Sequence, residues 1–202
     1  MNNLITVRFI NVFYVLILLI MTSCFGKSEL EKSIFIEDPQ DPSLPVYSEL
    51  GYNTFGAHYD RSIIVSNDYQ VPMKVVNHMG VTTFTFTGQR DSYASAFSIQ
   101  FSINGLGPKS YSDLISMDNV TLDLTSPTCN VVVNDGGNVQ AVQILDGTLI
   151  FKKARDLKVD NLLTEIVLSG TFEFHAIINQ LPVTMSKGRF DVGVDYENFY
   201  KY

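Results

Sequence analysis

The side chain with the most definite chemistry is Cys24. It directly follows Thr22 and Ser23; before them lies a nearly all-apolar run over residues 10–21, and Arg8 is the only charged side chain ahead of it. That order reads as a secretory signal peptide ending in a lipobox, where the chain is cut before the cysteine and the cysteine becomes an N-terminus acylated with chains such as palmitate. Met21 stands where Leu is usual. The apolar run is too short to cross a bilayer, which takes about 20 apolar residues. Each buried methylene contributes about 0.8 kcal/mol, so several chains on Cys24 anchor durably where a single chain binds reversibly. Residues 1–23 are expected to be leader, Cys24 the lipid-attachment site, and the lipid bilayer the partner reached through it.

Elsewhere the chemistry-bearing residues lack the spacing that reactions need. His58, His78 and His175 fall in separate segments, none with the i, i+4 or paired-cysteine spacing of a metal site. His58 and Asp60 share a strand face across Tyr59 if that segment is extended. No Ser lies in a Gly-x-Ser-x-Gly elbow, and no glycine pattern leads from a strand into a helix to cradle phosphate. Cys129 has no basic or His neighbour in sequence to lower its pKa, and reads as a small apolar residue near the strand at residues 131–133. Asp113, Asp118, Asp123 and Asp135 offer a carboxylate pair for sugar hydrolysis only if two of them stand at the right separation. Acidic loops could also take calcium, but none matches the Asp-x-Asp-x-Asp-Gly loop. The expectation is no catalytic residue, no metal and no cofactor.

Two clusters remain. Lys152, Lys153, Arg155 and Lys158 read as the solvated end of a strand, where charge discourages edge pairing; the sharper alternative is a docking patch for an acidic glycan or partner. Tyr196, Phe199, Tyr200 and Tyr202 are expected to pack over the open end of a sheet.

These side chains must be positioned by strands. Past Gly51 the dominant period is two: Phe97, Ile99, Phe101 and Ile103 alternate with Ser98, Gln100 and Ser102, and Phe84 and Phe86 alternate with Thr83, Thr85 and Thr87. Asp135 to Asn138 and Asp146-Gly147 are turn signals. They separate strands at residues 131–133, 139–145 and 148–152. The longest strands are the last two, with Ile166, Leu168, Gly170, Phe172, Phe174 and Ala176 on one face, a reversal near residues 179–182, then Phe190, Val192 and Val194. A short helix or turn near residues 111–117 is the one exception. The fold class expected is all-β, an antiparallel β-sandwich of roughly ten strands over residues 51–202, with a closed or half-open β-barrel as alternative. Between leader and domain, residues 24–50 hold six acids (Glu29, Glu31, Glu37, Asp38, Asp41, Glu49), two lysines and three prolines. That composition predicts an extended linker that holds the domain off the bilayer, with residues 34–36 able to pair as an edge strand.

Hydrophobic residues at 46% and charged residues at 17% describe a packed globule without Trp. The net charge of -7 opposes phosphate backbones, so no nucleic-acid partner is expected.

Asn53-Thr54-Phe55-Gly56-Ala57, Asp60 and Val71-Pro72 resemble the opening strand pair of a group of uncharacterised lipoproteins from the Bacteroidota. Residues 169–174 and 183–191 resemble the closing pair of the same group, although Arg61 stands where the group has Gly and no Trp precedes Pro72. The resemblance implies an envelope lipoprotein with a β fold and carries over no functional residue except the lipidated cysteine. The function expected is a non-enzymatic, membrane-tethered binding or structural module of the outer membrane, with a glycan or an envelope protein as partner. The alternatives are an envelope hydrolase using a carboxylate pair, and a fimbrial or assembly subunit in which residues 34–36 fill a groove between sheet edges.

Overall fold

Fourteen strands carry the described residues, which in this computed structural model are 32–66, 71–91 and 96–202. In chain order they are β1 (Glu37–Asp38), β2 (Asp41–Pro45), β3 (Thr54–Tyr59), β4 (Ser62–Val65), β5 (Met73–His78), β6 (Val81–Arg90), β7 (Ala96–Asn104), β8 (Val120–Asp123), β9 (Cys129–Asp135), β10 (Asn138–Ala141), β11 (Gln143–Val159), β12 (Leu162–Ile178), β13 (Leu181–Val194) and β14 (Phe199–Lys201). A 3-10 helix, Tyr111–Met117, precedes β8 and buries Leu114 and Met117. The Asp113 carboxylate accepts the Lys109 and Ser110 N–H groups at the start of that helix (2.7 and 3.3 Å).

Alternation decides the faces. In β6 and β7 every second residue is buried: Thr82, Phe84 and Phe86 in one strand, Phe97, Ile99, Phe101 and Ile103 in the other. Two-residue turns join neighbouring strands at Met79-Gly80, Asp160-Asn161 and Asn179-Gln180, with positive φ at both central residues. That backbone matches the right-handed twist of the flanking strands.

Two layers result, all pairings antiparallel except β14 with β5. The first sheet runs β14-β5-β6-β7-β9-β10 and the second β4-β3-β13-β12-β11-β8. They meet at one corner, where Ile64 and Val65 of β4 pair with Arg90 and Gln89 at the end of β6. Gly88 permits this approach, because a Cβ there would lie 2.7 Å from the Val65 carbonyl oxygen. The hydrogen-bonded path ends at β10 and at β8. The fold is therefore an all-β antiparallel sandwich and not a closed barrel.

The core between the layers is aromatic. Phe84 and Phe86 of the first sheet meet Phe151 and Phe190 of the second, with ring centroids 5.0 and 4.8 Å apart, and Phe101 meets Phe172 at 5.4 Å. Contacts of this kind contribute about 0.5–1.5 kcal/mol beyond the area they bury.

Three features differ from the sequence expectation. Asp146-Gly147 is no turn: β11 continues through it with a β-bulge, and Gly147 takes φ 149 with Phe174 too close to admit a Cβ. The single strand expected at residues 139–145 is two, because the chain leaves the first sheet after Ala141 and enters the second at Gln143. Finally, the compact unit begins at Ser33, within the stretch read as linker. Glu37–Asp38 and Asp41–Pro45 pair as a small hairpin. The hairpin lies on β3, with Leu44 fully buried and Gly56 leaving room for Pro45.

Candidate binding surface

Cys24, the leader and residues 24–31 of the expected linker lie outside the described residues. No helix among the described residues is long and apolar enough to cross a membrane.

His58 does not pair with Asp60. Its Nε2 lies 2.7 Å from Asp41 Oδ2, while Asp60 accepts the Thr184 N–H. Asp41 is a hub, accepting also from the Ser43 hydroxyl (2.7 Å) and the Lys187 ammonium (2.9 Å). The Ser43 bond, then His58 and Lys187, hold the Asp41 carboxyl well below the usual carboxylate range. In a nucleophilic triad the acid orients the His and the His faces the nucleophile. Here the hydroxyl, imidazole and ammonium all converge on one acid, which makes a clasp for β1–β2 rather than a proton relay. Arg189 pairs with Asp38 beside it.

His175 faces outward, as its place in the alternation requires, and its Nδ1 lies 2.7 Å from Asp146 Oδ1. That contact, led by the hydrogen bond, raises its pKa. His78 meets Tyr202 edge to face at 6.5 Å.

The four acids weighed as a carboxylate pair go to separate structural tasks. Asp113 starts the 3-10 helix, Asp118 accepts the Ala154 N–H (2.9 Å), Asp123 accepts the Thr125 N–H (2.9 Å), and Asp135 pairs with Arg90. Among the described residues no three His, Cys, Asp or Glu side chains group to hold a metal ion. Burial pushes the half-buried Cys129 thiol up, away from reactivity.

The basic cluster is split. Lys153 pairs with Asp118, Lys158 with Asp156, Arg155 Nε donates to the Glu49 carbonyl (2.8 Å), and Lys152 sits over the Tyr47 ring at 4.8 Å. The aromatic tail pairs as β14 with the edge of the first sheet. There Tyr200 lies under Lys74 at 4.3 Å, and Phe199 packs against the core.

What the structure brings together is the polar half of the alternating strands. Across the outer face of the first sheet, Thr83, Ser102 and Asn130 lie in one row, Thr85, Gln100 and Val132 in the next, and Thr87, Ser98 and Asn134 in a third. On β6, β7 and β9 these rows hold no charged side chain; at the edge, on β5, Lys74 stands beside Thr85. The outer face of the second sheet, by contrast, carries Lys152, Glu173, His175 and Arg189. At one end of the uncharged face is a cleft of about 430 Å³ lined by Pro72, Thr87, Gln89, Ala96, Ser98 and Asn134. The Asn134 side-chain oxygen is buried there and, among the described residues, receives no hydrogen bond. The alternation signals this face in sequence, but only strand order shows that the three polar rows join.

Comparison with protein-family models, curated proteins and solved structures returned no match, so no relative assigns a role to any of these residues.

Proposed function

We propose that this chain is a non-enzymatic binding module of the cell envelope, anchored to the outer membrane by acyl groups on Cys24, and that its ligand face is the uncharged part of the first sheet's outer surface, on β6, β7 and β9. The observation that carries the binding reading is that face: nine Ser, Thr, Asn, Gln and Val side chains in three rows without a charge, beside a cleft of about 430 Å³. Neighbours within a row stand about 4.8 Å apart, and successive rows about 7 Å apart. Such a lattice of neutral donors and acceptors suits an uncharged glycan, whose hydroxyls can bond to it without stripping water from fixed charges. The Asn134 oxygen lacks a donor that a sugar hydroxyl could supply after rotation of the amide. The order of apolar run, Thr22-Ser23 and Cys24, and the resemblance to Bacteroidota lipoproteins, support the anchor.

Electrophoresis through gels containing dextran, glycogen or laminarin tests the ligand class. Retardation by a neutral polymer, absent with polygalacturonate and lost in Ser98→Lys, is expected; equal mobility in all gels would sink the glycan reading. For the anchor, mass spectrometry of the membrane-bound protein is expected to find acyl chains on Cys24. A Cys24→Ala variant that stays on the membrane counts against it.

A further inference from the structure

We infer that the domain rests directly on the lipid surface through an apolar patch, Ile34, Phe35, Ile36 and Leu50, at the root of its tether. This inference rests on the reading that Cys24 is acylated. The four side chains are 49%, 36%, 46% and 59% exposed. Three of them are consecutive, a pattern that costs solubility unless something covers it. They stand on a pinned backbone: Ile34 N–H donates to the Tyr52 carbonyl (2.8 Å), Val46 N–H to the Ile36 carbonyl (2.7 Å), and the N–H groups of Leu50, Gly51 and Tyr52 to the buried Asp191 carboxylate.

Tether length identifies what covers the patch. With β1–β2 seated on the sandwich, only the eight residues 25–32 separate Cys24 from the compact unit. The stretch from Cys24 to Ser33 spans at most about 30 Å, whereas the 27 residues 24–50, if extended, would reach roughly 90 Å. So short a leash keeps residues 34–36 at high effective concentration beside the bilayer. A second copy of the chain is a poorer occupant, since a stable interface takes about 20–30 residues on each side. In sequence, Glu29, Glu31, Glu37 and Glu49 flank these residues, so the surface that accepts the patch is zwitterionic rather than anionic.

The chain contains no Trp, so one introduced Trp is a clean reporter. Leu181, 66% exposed and ten residues along β13 from Asp191, serves as the control, about 30 Å away. The acylated full chain is placed on phosphatidylcholine–phosphatidylethanolamine vesicles with brominated acyl chains. Phe35→Trp and, as a second reporter, Ile36→Trp are expected to be quenched several-fold more than Leu181→Trp, and Leu50→Lys is expected to reduce that quenching. Equal, weak quenching at all three positions on protein that floats with the vesicles overturns docking while leaving the anchor intact. Protein that does not float overturns the anchor, and docking with it.

Discussion

Asp191 shows how much one side chain can carry. It is 1% exposed and accepts the N–H groups of Leu50, Gly51 and Tyr52 together with the Ser169 hydroxyl, joining segments 140 residues apart. Each donor left unsatisfied in a buried place costs about 1–3 kcal/mol. Asp191→Ala is therefore expected to destabilise the protein by about 3 kcal/mol or more in urea unfolding, and Asp191→Asn by less, because its amide oxygen still accepts. In sequence Asp191 is an ordinary acid after Phe190. Separation along the chain also hides the partner of His58: reading along the chain offers Asp60, and the fold supplies Asp41, 17 residues away.

At the scale of elements, the β1–β2 hairpin departs furthest from its composition. Prolines and acids read as extended chain, but the acids find partners across the fold, Asp38 in Arg189, and Asp41 in Lys187 and in a hydrogen bond with His58. Asp38 is also held low, first by the Gln40 N–H and then by Arg189. Both folded-state pKa values lie below the unfolded one, about 3.9. The stabilisation is thus complete above that value and is lost as pH falls through the folded values. Acidification below about pH 4 is expected to release the hairpin before the sandwich opens. Faster amide exchange at Ile34 and Val46, with β6 and β7 still protected, would register this. Simultaneous loss would show that the clasp contributes nothing separate. The 3-10 helix at residues 111–117, the reversal near residue 179 and the turn at 136–137 were all legible, since each depends on its own few residues.

For the whole molecule, stability lies in contact between the layers. The Phe86 ring stands 5.3 Å from Phe55, 4.8 Å from Phe190 and 6.4 Å from Phe172 of the second sheet, and 6.1 Å from Phe101 of its own. Truncating a core Phe costs about 3–5 kcal/mol. Phe86→Ala is expected at the top of that range and Phe97→Ala, whose ring among the described residues meets the Tyr59 ring alone, lower in it. Denaturant midpoints at unchanged slope compare the two. Equal losses would assign the stability to area alone.

The sequence by itself determined the strand faces, most of the turns and the all-β class, because alternation and turn chemistry act over two to four residues. It also held the Thr22-Ser23-Cys24 junction, a pattern readable without any fold. Only the tertiary structure decided that β4 meets β6 at one corner, that β11 runs on through Asp146-Gly147 after a bulge at Leu145, and that the proline-rich segment belongs to the domain. It alone joined three polar rows across β6, β7 and β9 into one patch. Each of those outcomes depends on which distant backbone comes within hydrogen-bonding reach, and strand order, not local spacing, sets that.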